Sequence, residues 1–201
     1  MSAFANLLAD IRSLQQFPVE VGAVKKFILD SGLQDEVEFY PLETDDVKLR
    51  GVCTRTTYRR SPYGDPVRLM RIGYSATANI CWQRFVCCKE MMHAFDSDQQ
   101  YANSDERIAT LIRNLTDPLL DGFDAPKNSP EFAEKAAEFR ALCVLAPRHA
   151  VDQIRPLYVS GERKSLDIAR FFRIPQVYID TIFRPTFSSF YESHASEMQA
   201  V

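Results

Sequence analysis

The sequence predicts a single α+β domain in which helices flank a small antiparallel sheet. Apolar residues recur at helical spacing before Gly32, follow strand-like patterns over residues 37–74, and return to helical spacing from Ala78 onward. Helices followed by strands and then by further helices are typical of α+β proteins. With 201 residues, 46% of them hydrophobic, the chain is long enough to bury one sizeable core.

Two helices and three strands are predicted in the first 75 residues. The first helix covers residues 4–14, and the second begins at Pro18 and ends at Ser31-Gly32, a typical left-handed stop. A turn at residues 61–65 joins the last two strands, and alternation in the third indicates one face toward the core and one toward water. The three strands are predicted at residues 37–42, 49–56 and 67–74.

Helices are predicted for most of the remaining chain. One covers residues 78–95, and another covers 104–115, with Ser104 as its N-cap and Asp105 and Glu106 in its first turn. Residues 116–130 hold three prolines and predict a surface loop.

The C-terminal third is predicted to be helical as far as residue 183. Ser129-Pro130 opens a helix that runs to residue 145, because proline suits the first helical position. Shorter helices are predicted at residues 148–155, 166–172 and 175–183. We assign residues 1–150 to the main domain, 151–187 to a helical extension packed on it, and 188–201 to a polar tail.

Charge and cysteine content exclude several classes of protein. The net charge of −3 argues against nucleic-acid binding through a general basic field. No apolar run approaches the roughly 18 residues that span a bilayer, and residues 1–6 lack the start of a secretion signal, so we expect a cytoplasmic protein with no membrane partner. No CxxC pair occurs, and we interpret the cysteines as reduced thiols that pack like small apolar side chains. They are Cys53, Cys81, Cys87, Cys88 and Cys143.

The helix predicted at residues 78–95 carries the most informative pattern in the chain. In a zinc-peptidase helix, two histidines four residues apart bind the metal and a glutamate after the first polarises the attacking water. Glu90 and His93 occupy the second and last positions of that motif, whereas Lys89 stands where the first histidine belongs.

The motif and its surroundings resemble the ImmA/IrrE family of zinc-dependent peptidases over roughly residues 18–183. Residues 84–93 read R-F-V-C-C-K-E-M-M-H and match the family helix R-F-x-x-x-H-E-x-x-H apart from one letter. Residues 134–147 read E-K-A-A-E-F-R-A-L-C-V-L-A-P and are similar to the family's later helix, with Glu138 at an Asn/Asp position. The resemblance implies a zincin-like minimal metallopeptidase fold for residues 1–150.

The resemblance also implies a role for each motif residue. Glu90 corresponds to the general base, His93 to a zinc ligand, and Glu134 to the carboxylate ligand. Lys89 offers no lone pair while protonated, and its charge, about 4 Å from a metal, would cost on the order of 4 kcal/mol. We therefore expect no cofactor, zinc being the one that the resemblance would imply. Instead, the Lys89 ammonium would pair with Glu134 or Glu90, and Glu90 would have no catalytic role.

The C-terminal segment has the rhythm of a helix-turn-helix over residues 165–179, although Arg173 replaces the glycine usual in the turn. Four cationic residues make it locally basic, namely Arg163, Lys164, Arg170 and Arg173. We favour packing or protein docking over DNA contact for this segment. The aromatic residues near the end would be mostly core, with some free to form a homodimer or partner surface. They are Phe171, Phe172, Phe183, Phe187, Phe190 and Tyr191.

These observations favour a catalytically impaired member of the resembled family that binds a protein partner, such as a repressor or toxin-type protein, in the control of a mobile element or stress response. Two alternatives stay open. The first is an active metal-dependent peptidase with an altered first ligand that cleaves a repressor-type protein. The second is a DNA-binding transcriptional regulator, which would depend on the helix-turn-helix-like segment.

Overall fold

A computed structural model of the chain describes residues 2–14, 16–43, 50–97 and 125–196, together with Gln100, Glu106 and Leu111. Within these residues the fold is mixed α+β, with eight helices and one three-stranded sheet. The strands are β1 (Glu36–Leu42), β2 (Gly51–Arg59) and β3 (Pro66–Ser75). The helices are α1 (Ala3–Ser13), α2 (Val21–Asp30), α3 (Ile80–Met92), α4 (Pro130–Leu145), α5 (Arg148–Val159), α6 (Ser165–Phe172), α7 (Ile179–Phe183) and α8 (Pro185–Ala195).

Local capping signals set several helix ends where the sequence predicts them. The Ser129 hydroxyl accepts a hydrogen bond from the backbone N–H of Phe132 at 3.2 Å, and Pro130 is the first residue of α4. Asn79 caps α3 by accepting from the N–H groups of the two residues that follow Ile80. Gly32 has a φ of 64° directly after α2, the left-handed conformation that glycine adopts at low cost.

The sheet is mixed, and the prediction of an antiparallel sheet was wrong for one of its two pairings. The strand order is β1-β3-β2, with β2 antiparallel and β1 parallel to β3. Alternation predicts which strand face is buried but carries no information about strand direction. The chain leaves β1 at one edge of the sheet and enters β2 at the other, so the two strands that follow one another in sequence are not neighbours.

Helix α3 lies at the centre of the molecule, between the sheet and α4. Its residues from Arg84 to Met92 are buried except Lys89, which is half-buried. The Arg84 guanidinium donates to the backbone carbonyl of Val19 at 2.7 Å, which gives this buried charged group a hydrogen-bond partner. Because both flanks of α3 are packed, side chains near its C-terminal end are held in fixed positions.

The segment from 151 onward shares the core of the main domain rather than forming a separate one. Ile168, Phe172 and Phe187 are buried in the same cluster as Phe85 of α3. Helix α5 runs to Val159, four residues beyond its predicted end, and includes Pro156.

Residues 188–195, which the sequence analysis assigned to a polar tail, belong to α8. Phe187 is fully buried, and the rings of Phe187 and Phe190 lie 5.8 and 5.4 Å from that of Phe139. Apolar contact on one helical face orders the segment although serines and glutamate occupy its other positions.

Two further predictions fall largely outside the described residues. The helix at 104–115 is described only at Glu106 and Leu111, and the loop at 116–130 only from Ala125. Among the described residues, no helix has the length and apolar character needed to cross a membrane.

Arg173 ends α6 in the left-handed region, with φ 50° and ψ 49°. This conformation crowds the β-carbon, and glycine is the residue usual in such turns. We expect Arg173→Gly to raise the free energy of unfolding by about 0.5 kcal/mol, because relief of crowding slightly exceeds the added flexibility of the unfolded chain. Urea denaturation measures the change. Arg173→Ala keeps the β-carbon and should give no gain, so equal effects of the two variants would contradict this explanation.

Candidate functional site

The structure brings together the four side chains that the sequence analysis singled out. Lys89 and Glu90 lie in the last turn of α3, and His93 begins the short 3-10 turn that follows it. Glu134 comes from the first half of α4, which packs against α3. Strand β2 closes the site from the third side, since a β-carbon on Gly51 would lie 3.2 Å from Oε1 of Glu90.

Lys89 lies between two carboxylates. Its Nζ donates to Oε1 of Glu90 at 3.1 Å and to Oε2 of Glu134 in a shorter contact. The side chains of Lys89 and Glu134 are 20% and 22% exposed, so the pair is mostly screened from water. Lys89 therefore contacts both of the carboxylates that the sequence analysis offered as its partners.

His93 is also surrounded by carboxylates. Its Nδ1 lies 2.6 Å from Oδ2 of Asp96, and its Nε2 lies 3.3 Å from Oε1 of Glu134 without the alignment of a hydrogen bond. Oε2 of Glu90 is 3.8 Å from Nε2. The imidazole therefore has a carboxylate at each ring nitrogen, an arrangement that favours its protonated form.

A second layer holds His93 and Asp96 in place. Arg140 of α4 donates to Oδ1 of Asp96 at 2.7 Å. Arg55 of β2 donates to the backbone carbonyls of His93 and Asp96 at 3.3 and 3.4 Å. The sequence analysis missed these three residues. Asp96 could have been noticed three positions after His93, because a ligating histidine usually gives its other ring proton to a carboxylate. Nothing in the local sequence links Arg55 or Arg140 to the motif.

The pKa shifts follow from this arrangement. Burial lowers the pKa of Lys89, but Glu90 and Glu134 outweigh it, and the net pKa is raised. Burial likewise opposes the charge on His93, yet Glu134 and Asp96 raise its pKa to about 10. For Glu134, burial raises the pKa, whereas Lys89 and His93 together bring it well below its usual range. Each of these shifts favours the charged form of Lys89, His93 or Glu134.

The raised pKa of His93 predicts a pH dependence of stability. A group whose pKa rises on folding adds to the free energy of unfolding. For His93 this contribution is full below its unfolded pKa of about 6.5, and it is lost as the pH rises through its folded pKa of about 10. We expect the free energy of unfolding to fall between pH 6.5 and pH 10 by more in the wild-type protein than in His93→Gln. Urea denaturation over that pH range measures the difference. Parallel curves for the two proteins would contradict the assignment of a buried imidazolium.

The residues at this site do not fit a zinc ion. Zinc needs lone pairs from three protein ligands, whereas an ammonium hydrogen-bonded to two carboxylates supplies none and adds a positive charge. Both oxygens of Glu134 face cationic groups, Lys89 on one side and His93 on the other. Within the described ranges, no three His, Cys, Asp or Glu side chains are arranged to hold a metal ion.

The thiols near the site are poor nucleophiles. Burial, followed by the charge of Glu90, raises the pKa of Cys53 to about 12. The same two causes raise the pKa of Cys87 to about 12, and burial raises that of Cys88, which is fully enclosed. A thiol is reactive as its thiolate, so these groups are largely unreactive at neutral pH.

A neighbouring polar cluster extends the site toward the 3-10 turn Gln176–Tyr178. The Tyr178 hydroxyl donates to Oε2 of Glu138 at 3.3 Å, and Lys135 donates to Oε1 of the same carboxylate at 3.1 Å. The Trp82 and Tyr178 rings lie 5.8 Å apart, and the guanidinium of Arg50 stands 3.7 Å from the centre of the Trp82 ring. The carboxylate of Glu138 is thus also engaged by its own chain.

No family model, curated protein or solved structure matches this chain. The resemblance to the ImmA/IrrE family therefore stays a prediction from the sequence motif.

Proposed function

We propose that this protein has a zincin-like fold, hydrolyses no peptide bond, and acts by binding a protein partner of the repressor or toxin type. One observation carries the proposal: the Lys89 ammonium bonds to both Glu90 and Glu134. In the resembled family these two positions hold the general base and a metal ligand. A lysine between them keeps both carboxylates engaged and gives an attacking water neither a metal nor a free base.

The arrangement around Lys89 supports a disarmed peptidase rather than an unrelated ion pair. A helix carrying Glu90 and His93 lies against a small sheet, and the following long helix delivers Glu134 to the same point. Asp96 is hydrogen-bonded to Nδ1 of His93, the ring nitrogen that does not face Glu134, as a second-layer carboxylate is in histidine metal sites. In this proposal, Lys89 stands in the place of the first histidine of such a site.

The variant Lys89→His tests the proposal. It would remove the ammonium and place an imidazole one helical turn before His93, beside Glu134. We expect zinc affinity to rise at least about 100-fold over wild type, because two histidines and one carboxylate form a common zinc set. Competition with a chromophoric chelator measures it. Lys135→His is the matched control, since Lys135 also pairs with a glutamate of α4, and it should give no gain.

Two results would overturn the proposal. No gain of zinc affinity in a folded Lys89→His protein would mean that the side chains do not form the resembled site. Hydrolysis of a repressor-type protein by wild type would restore the peptidase alternative. For the binding half of the proposal, light scattering of the protein mixed with a repressor-type protein should show a complex in which the repressor stays intact.

A further inference from the structure

Strand β2 forms one edge of the sheet, and alternate residues along it turn their backbone groups away from β3. The N–H of Ser75 donates to the carbonyl of Arg50 at 3.1 Å. The carbonyl of Arg68, which lies opposite Thr57, instead accepts from the N–H of Asp35 at 3.0 Å. Because bonded and non-bonded pairs alternate in an antiparallel ladder, the even-numbered residues of β2 bond to β3 and the odd-numbered residues face outward.

These outward groups form a row that can accept another strand. We define the β2 edge as the backbone N–H and C=O groups of Cys53, Thr57 and Arg59. In the part of the chain that the structure describes, no donor or acceptor bonds to them. Unpaired backbone groups along an edge strand are a template for pairing with a further chain, and main-chain hydrogen bonds supply the affinity.

The opposite edge of the sheet is protected against such pairing, and the β2 edge is not. Strand β1 carries Pro41, which has no N–H, together with Glu36 and Glu38, and proline and charge both discourage edge pairing. Strand β2 has no proline, lysine or acidic residue. Its register with β3 runs unbroken over nine residue pairs, so no bulge twists it away from an added strand. Its valine, threonines and tyrosine favour extended strands.

The side chains of β2 suit pairing with a second copy of the same strand. Thr54, Thr56 and Tyr58 are exposed and lie on the face of the sheet away from α3, because side chains alternate between the faces and Arg55 reaches the turn after α3. Antiparallel pairing about a two-fold axis at Thr56 places Thr54 opposite Tyr58 and Thr56 opposite its own copy. Threonine pairs, and pairs of an aromatic with a β-branched residue, stabilise neighbouring strands.

The charged residues of β2 do not oppose this register. The guanidinium of Arg55 already donates to two backbone carbonyls of the turn after α3. In the two-fold register Arg55 faces Thr57 and Arg59 faces Cys53, so no two cations stand directly opposite one another. A two-fold axis at Arg55 would instead bring two guanidinium groups together.

We propose that two copies of this chain associate through the β2 edge, with antiparallel strands and a two-fold axis at Thr56. The pairing joins two three-stranded sheets into one sheet of six strands. One pair of strands buries little surface, so we expect a weak dimer with a dissociation constant in the micromolar range. This inference goes beyond the proposed function and does not depend on the charge of Lys89.

A charge exchange at the two-fold position tests the inference. Thr56→Lys places two ammonium groups opposite one another in the dimer, and Thr56→Glu places two carboxylates there. We expect each variant alone to raise the dissociation constant about fivefold or more, because like charges directly opposite oppose strand pairing. An equimolar mixture of the two variants should associate about as tightly as wild type. Sedimentation velocity over a range of concentrations measures each sample.

The control for these variants places the same charges on another surface. Gln153 is exposed on α5, and Gln153→Lys and Gln153→Glu should each leave the dissociation constant within about twofold of the wild-type value.

Thr57→Pro tests the backbone hydrogen bonds separately. The N–H of Thr57 faces outward, so proline removes a donor of the β2 edge without removing a bond to β3. We expect the dissociation constant to rise about tenfold or more, because the two-fold axis repeats the loss in both copies. Thr57→Ala keeps the N–H and should stay within about threefold of wild type. Circular dichroism checks that both variants are folded.

Three results would overturn the inference. The first is a wild-type protein that stays monomeric up to its solubility limit. The second is a mixture of Thr56→Lys and Thr56→Glu that associates no more tightly than either variant alone. The third is equal association of folded Thr57→Pro and Thr57→Ala. Failure of the proposed function would appear separately, as hydrolysis of a repressor or zinc bound to wild type.

Discussion

Lys89→Met is expected to lower the free energy of unfolding by about 3 kcal/mol. The substitution keeps most of the side-chain volume but removes the ammonium that bonds to Glu90 and Glu134. Breaking a buried ion pair by deleting one partner typically costs 3–5 kcal/mol, because the remaining charge is left uncompensated. The value expected here lies at the lower end, since both Lys89 and Glu134 are about a fifth exposed. Urea denaturation at pH 7 measures it.

Removing the second charge as well should restore much of this stability. Lys89→Met combined with Glu134→Gln leaves Glu90 and Asp96 as the two carboxylates beside His93. We expect the double variant to recover at least about half of the free energy of unfolding that Lys89→Met loses. A double-mutant cycle measures this recovery as the coupling energy between two residues in contact. Additive losses would show that Lys89 stabilises the fold through packing rather than through charge.

Asp96→Asn is expected to lower the free energy of unfolding by nearly as much, about 3 kcal/mol. The Asp96 side chain is 2% exposed and is the shared anion between His93 and Arg140. An amide can replace one hydrogen bond, but it removes the carboxylate that pairs with Arg140 and one of the three carboxylates beside His93. Loss of a buried counter-charge is the costly outcome for a buried ionic group. Thermal and urea denaturation both report the loss.

The matched control for Asp96 is another aspartate that pairs with an arginine, but on the solvent-exposed surface of the protein. Asp152 lies 2.7 Å from Arg148 and is 45% exposed, so Asp152→Asn should cost no more than about 0.5 kcal/mol. Asp96→Asn should also lower the pKa of His93, since it removes one of the carboxylates that raise it. An Asp96→Asn protein as stable as wild type would show that the second layer contributes nothing to the cluster.

Much of the helical architecture could be predicted because its signals are local. The proline at the start of α4, the glycine after α2 and the apolar spacing in α1 act within a few residues, and each element lies close to its predicted place. The parallel pairing of β1 with β3 could not be predicted, because it depends on contacts between strands about thirty residues apart. Helix α8 was missed because its order comes from Phe139, nearly fifty residues earlier.

The same distinction applies to the candidate site. Lys89, Glu90 and His93 lie in one helical turn or adjoining it, so their neighbourhood follows from spacing alone, and the resemblance pointed to Glu134. Arg55 and Arg140 reach the site from β2 and α4, and no spacing in the sequence relates them to the motif. The sequence therefore predicted the charged residues at the centre of the site, but not most of the residues that hold them in position.

Metal analysis of the wild-type protein tests the central claim most directly. The protein would be purified without chelators, exposed to excess zinc, dialysed and measured by inductively coupled plasma mass spectrometry, with Lys89→His treated in parallel. We predict that wild type retains far less than one zinc per chain, because the Lys89 ammonium bonds to the carboxylates that a metal would need, whereas the variant retains close to one. One tightly held zinc per chain in wild type would contradict the account.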